Sequence, residues 1–160
     1  MMSQRQTDFK RPQIKICGLT IPGEAAACAA LGADAIGCVF YPKSPRHITE
    51  KQAKNIAEVL PPDIPLIGVF VNAGFDEIMK KVDACRLKGV QLHGWEPPDL
   101  TSRLMNEHLL VIKALFDEKD PNFGTASHYR VSAFLAECGR GKLPGGNAWS
   151  WDWGKAKSLG

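Results

Sequence analysis

Nowhere in the 160 residues does a Cys-x-x-Cys pair occur. The five cysteines (Cys17, Cys28, Cys38, Cys85 and Cys138) are odd in number and widely spaced. That pattern argues against both a disulfide framework and a zinc site, and for a reducing compartment. No apolar run approaches the ~20 residues of a membrane span. Charge of one sign is scarce as well: a net +3, with no basic run and no interleaved aromatic stripe, gives no ground for a nucleic-acid partner. Residues 1–12 are polar and lack the apolar core of a secretory signal. They read as an N-terminal extension without fixed structure, ahead of a domain over 13–160. These absences predict a soluble, cytoplasmic protein with neither a membrane nor a nucleic-acid partner.

What is present is a hydrophobic content of 44%, enough for one globular domain with a sizeable core. Its order is a strand-helix unit repeated six times. A strand at Ile14–Cys17 leads to a helix over Ile21–Leu31 capped by Thr20. Apolar Ala33–Phe40 follows, then a loop with two prolines and three basic or potentially basic side chains, Lys43, Arg46 and His47. Thr49 caps a helix over Glu50–Val59. Leu66–Val71, Gly89–His93, Leu109–Leu115 and Val131–Cys138 read as further strands. Between them lie helices at Asp76–Ala84 and Glu96–Glu107, then a loop over Phe116–Tyr129 with room for one helical turn. A last short helix is expected at Asp152–Ser158. Such alternation implies a parallel sheet with right-handed crossovers, either open and doubly wound or closed into an eight-unit barrel.

In both architectures ligands sit at the carboxyl ends of the strands. Five of the six strands end there in a group capable of chemistry: Cys17, Asn72, His93, Lys113 and Glu137. Alternation puts Lys15 and Cys17 on one face of the first strand, opposite Ile14 and Ile16. A cation beside a thiol favours the thiolate, which can remove a proton from carbon. The same parity pairs Gln91 with His93.

Lys15-Ile16-Cys17-Gly18, Gly37-Cys38-Val39-Phe40, Ser44-Pro45-Arg46, Gly68-Val69-Phe70-Val71-Asn72 and Val90-Gln91-Leu92-His93-Gly94 follow one another in order. Together they resemble phosphoribosylanthranilate isomerase of tryptophan biosynthesis, from about residue 13 to about 155. The resemblance implies a (β/α)8 TIM barrel, no metal and no cofactor. It also implies an Amadori rearrangement of a small phosphorylated sugar–anthranilate substrate. It makes Cys17 the general base. Glu137 becomes the general acid, where the family carries an aspartate, and Arg46 holds the anthranilate carboxylate. Lys15, Gln91 and His93 would line the substrate pocket, His93 as a wall rather than a second base. Gly145 and Gly146 match the family's paired glycines, although Asn147 and Ala148 depart from its pattern, and Asp152 reads as a helix cap.

The count of units also departs from the family. Six of eight are present, and two more would need roughly 40 residues. The expectation is a fragment of a longer barrel, inactive alone and able to self-associate through open barrel edges. A non-catalytic binding remnant, or another phosphate-sugar enzyme on the same barrel, are the alternatives.

Overall fold

A computed structural model describes residues 11–141 and Gly154. Strands β1 (Lys15–Cys17), β2 (Ala35–Val39), β3 (Leu66–Phe70), β4 (Gly89–Leu92), β5 (Leu110–Phe116) and β6 (Ala133–Glu137) pair in sequence order, each parallel to the next. Helices α1 (Pro22–Ala30), α2 (Glu50–Val59), α3 (Phe75–Cys85) and α4 (Pro98–Asn106) make the first four crossovers. A 3-10 turn at Phe123–His128 stands between β5 and β6. This is the β/α alternation of a TIM barrel, with six of its strands, as the sequence predicts.

The core lies between the sheet's outer face and the helices. Ile36, Cys38, Phe40, Phe70, Val90, Leu92 and Val111 meet Ile56, Ile78, Val82 and Leu104 there. Each such side chain, once fully buried, contributes roughly 1.5–3 kcal/mol of transfer free energy. Ile16 packs against the same cluster, while Ile14, expected beside it, is half-exposed at the sheet's edge. The opposite face of every strand is turned to one cleft, lined from β1 at one edge to β6 at the other. The sheet is therefore curled, and side chains from its two outermost strands share one space.

Helix starts follow local chemistry. Thr49 makes the capping box read from the sequence: its Oγ1 accepts from Gln52 N at 3.3 Å, and its own N–H donates to Gln52 Oε1 at 3.0 Å. Thr20 does not cap α1. Ile21 occupies the cap position without a side-chain bond, because Pro22 follows it. Proline has no N–H to satisfy and a backbone angle already suited to a helix start. Likewise α4 begins at Pro98 rather than Glu96, because Glu96 is committed to a buried ion pair. Arg11, the first described residue, pairs with Asp34 at 2.7 Å. The remainder of the expected extension, the loop with Gly145 and Gly146, and the helix at Asp152–Ser158 lie outside the described residues, Gly154 apart. Among the described residues, no helix is long and apolar enough to cross a membrane.

Candidate active site

At the carboxyl ends of the strands the cleft encloses about 650 Å³. Strand β1 contributes Lys15 and Cys17, on the inward face that period-two alternation assigned to them. Both reach over Gly37 of β2. A Cβ there would stand 2.7 Å from Cys17 Sγ and 3.1 Å from Lys15 Nζ. The missing side chain of Gly37 is thus the seat of the thiol, a role the sequence reading did not assign. Only knowledge that β2 pairs with β1, Cys17 opposite Gly37, brings the two together.

The β2–α2 loop supplies Arg46. Its backbone N–H donates to Ser44 Oγ at 3.1 Å, and its Nη1 donates to the carbonyl of Cys17 at 3.3 Å. The guanidinium stem passes so close to Gly18 that a Cβ there would meet Arg46 Cδ at 2.6 Å; Gly18 also holds φ +88°, which glycine tolerates best. Arg46 is exposed at the mouth of the cleft. Lys43 and His47, grouped with it in the sequence reading, do not line that cleft.

Strand β4 sends Gln91 and His93 inward. Lys15 Nζ donates to Gln91 Oε1 at 2.8 Å, and Gln91 Nε2 lies 2.8 Å from His93 Nδ1. His93 is 8% exposed, its ring tilted against Phe116. Burial pushes its imidazole down to about 4, so the ring is neutral at pH 7. Its Nε2 approaches Glu137 Oε1 at 3.6 Å; with an uncharged ring this is a polar contact, not an ion pair. Glu137 closes β6. Burial raises its carboxyl above the usual carboxylate range, against a smaller opposing effect of the Lys119 ammonium. An acid that must hold a proton near neutrality is served by that direction.

Two of the strand-end groups do not join this set. Lys113 and Asn72 face away from the cleft, into the layer between sheet and helices. Lys113 is 0% exposed and Glu96 is 2% exposed, their charges 3.0 Å apart. Burial lowers the lysine, and Glu96 opposes that shift. The Glu96 carboxylate also accepts from the N–H groups of Asn72 at 2.9 Å and Gly94 at 3.0 Å. Lys113 Nζ donates to the Gly94 carbonyl at 2.8 Å. Asn72 Oδ1 accepts from Trp95 N at 2.6 Å, leaving no room for a side chain at Gly94. These groups bind the loops after β3 and β4 to β5, behind the wall that carries Gln91 and His93. The reason is parity: Ile112 faces the cleft, so its neighbour Lys113 faces out.

Among the described residues, no group of three or more His, Cys, Asp or Glu side chains is placed to hold a metal ion. What the cleft offers is a thiol beside an ammonium on β1, a carboxyl with raised pKa on β6, and a guanidinium at the mouth. This set suits moving protons on a substrate that carries an anion at one end.

Comparison with known proteins agrees with that arrangement. The family model of N-(5'phosphoribosyl)anthranilate (PRA) isomerase matches residues 14–155. The chain is 47% identical over 147 residues to the N-(5'-phosphoribosyl)anthranilate isomerase of Desulfatibacillum aliphaticivorans, covering 92% of this chain and 67% of that protein. The crystal structure of the Thermus thermophilus phosphoribosyl anthranilate isomerase superposes with a TM-score of 0.82 at 33% identity, over 92% of this chain and 71% of that one. Another, in complex with reduced 1-(o-carboxyphenylamino)-1-deoxyribulose 5-phosphate, gives a TM-score of 0.72 at 39% identity, over 79% of this chain and 65% of that one. The chain thus spans about two thirds of the length of these relatives. Matched along most of its length by sequence and by fold, it belongs to the N-(5'-phosphoribosyl)anthranilate isomerase family.

Proposed function

We propose that this cleft carries the acid and the base of an Amadori rearrangement. The reaction converts N-(5-phosphoribosyl)anthranilate to 1-(2-carboxyphenylamino)-1-deoxyribulose 5-phosphate, a step of tryptophan biosynthesis. Glu137, protonated, gives its proton to the ribose ring oxygen; the C1′–O bond breaks and the ring opens to an iminium. Cys17, as thiolate, removes the proton from C2′, and the C2′–H electron pair forms the enolamine. Protonation of the enolamine at C1′ then gives the ketone. One group donates and the other accepts, so each must start in the opposite protonation state. Burial supplies this for Glu137. Lys15, facing the same space as the thiol over Gly37, favours the thiolate by charge. Arg46 at the mouth forks onto the anthranilate carboxylate, a planar anion suited to a guanidinium.

The observation that carries this reading is that Cys17 and Glu137, on the two outermost strands, line one cleft with a guanidinium at its rim. The test is incubation of the protein with N-(5-phosphoribosyl)anthranilate, with the 1-deoxyribulose product separated by chromatography. Product is expected from the parent protein, and at a rate lower by orders of magnitude from Cys17→Ser. A Cys17→Ser protein with parental turnover would remove the thiol from the mechanism.

A further inference from the structure

The acid has a neighbour whose orientation is fixed from 76 residues away in sequence. Lysine has donors only, so the 2.8 Å contact of Lys15 Nζ with Gln91 Oε1 settles which end of the Gln91 amide faces which way. Its oxygen is turned to β1, and its NH2 group must face His93 Nδ1, 2.8 Å off. That Nδ1 therefore accepts. In a neutral imidazole the other nitrogen then carries the proton.

Nε2 is buried and has no hydrogen-bond partner among the described residues. A donor without an acceptor is costly in such a place. The group it faces is Glu137, at 3.6 Å, a separation that a modest closure on substrate would bring within hydrogen-bond range. The Phe116 ring, 5.9 Å from that of His93 between centroids, borders the imidazole on another side.

We propose that His93 is a positioning residue for the acid. Lys15 and Gln91 lock its ring with the proton on Nε2, and this N–H holds one oxygen of Glu137 so that the protonated oxygen is turned to the substrate. The proposal rests on the isomerase reading of the cleft. In the reaction the Glu137 O–H bond breaks and the proton goes to the ribose ring oxygen. The carboxylate left behind keeps the Nε2–H bond, now charge-assisted and stronger. His93 itself neither gains nor loses a proton. The charged groups acting on it are Lys15, Lys113 and Lys119, which oppose an imidazolium, and Glu96, which favours one; burial decides for the neutral ring.

Two measurements on the full protein test this. The first is the two-bond proton–nitrogen spectrum of the histidine rings at pH 7, with His93 assigned by its loss in His93→Gln. A neutral ring with the proton on Nε2 is expected, and in Gln91→Leu a mixture of tautomers. A parental ring protonated on Nδ1, or on both nitrogens, would overturn the proposal whatever the activity.

The second is steady-state kinetics of Gln91→Leu and His93→Gln with N-(5-phosphoribosyl)anthranilate. Loss of geometry at the acid should lower kcat about ten- to a hundredfold with KM within about threefold. The alkaline limb of the kcat profile should also move to higher pH in His93→Gln, since a donor to the carboxylate has been replaced by a shorter, unlocked amide. Lys119 faces Glu137 in parent and variant alike. Unchanged kcat and an unchanged limb would refute the positioning role. Absence of turnover in the parent would instead refute the isomerase reading and the acid's role with it, leaving the ring spectrum to decide the tautomer alone.

Discussion

Replacing Gly37 by alanine adds one methyl group under the thiol. The new Cβ would stand 2.7 Å from Cys17 Sγ, 3.1 Å from Lys15 Nζ and 3.2 Å from Cys17 Cα. Unstrained contacts between heavy atoms begin near ~3.5 Å, so the sulfur must retreat by about 1 Å. Rotation about the Cys17 side chain relieves the sulfur contact but not the one to its backbone, so β1 must also yield by a few tenths of an ångström. Overpacking of this kind costs roughly 1–3 kcal/mol, and the lower chain entropy of alanine in the unfolded state returns about 0.4–1 kcal/mol. The fold should therefore survive with a modestly lower melting temperature. Activity should suffer more, since a reacting group displaced by about 1 Å can lose about a hundredfold in rate. The assay is kcat for N-(5-phosphoribosyl)anthranilate beside thermal unfolding of the same preparation. A Gly37→Ala protein that turns over within about threefold of the parent would refute Gly37 as the seat of a catalytic thiol.

Three other changes probe separate parts of the account. Arg46→Ala should raise KM about ten- to a hundredfold, the loss of a charge-assisted bond of roughly 1.5–3 kcal/mol, while Lys43→Ala leaves it nearly unchanged; equal small effects would make the loop a solvated face. Lys113→Met leaves the Glu96 carboxylate buried without its cation and should cost about 3–5 kcal/mol in denaturant unfolding; a loss under about 1 kcal/mol would contradict the buried pair described here. The His93 imidazole falls from 6.5 to about 4 in the fold, so the folded ring binds its proton less readily than the unfolded one. Its contribution to stability is complete above the unfolded value and is lost as pH falls toward the folded one. The parent should thus lose up to about 3 kcal/mol more than His93→Gln between pH 7 and pH 4, and identical pH dependence in the two would show the histidine is not held neutral by burial.

Strand parity explains what the sequence disclosed of this site and what it concealed. Lys15 with Cys17 and Gln91 with His93 stand two residues apart in strands whose other positions are apolar, so alternation alone places each pair on one face. Strand β5 holds a single polar residue within an apolar run, and such a run has no legible inner and outer face. Lys113 therefore read as a strand-end functional group, whereas the fold turns it outward to Glu96. Glu96 read as a helical surface residue because its partner lies 17 positions along the chain and on a different element. Gly37 was visible as part of a motif, but its purpose depends on the β1–β2 register, and hydrogen-bonded pairing between strands leaves no local mark. The tautomer of His93 is hidden for the same reason: it is set by a lysine 78 positions earlier, through an amide that three strands of sheet bring into reach.

The most direct test of the site is the isomerisation rate at pH 7 of Glu137→Gln beside Glu137→Asp. Glutamine keeps the shape of the side chain and removes the transferable proton, so only the chemistry is lost. Aspartate keeps the acid and shortens its reach by one methylene. The account predicts a fall of roughly 10²–10⁴-fold for glutamine and retained or improved turnover for aspartate. A glutamine variant at the parental rate would show that the proton reaches the ribose from elsewhere, and that the carboxyl at the end of β6 is not the acid.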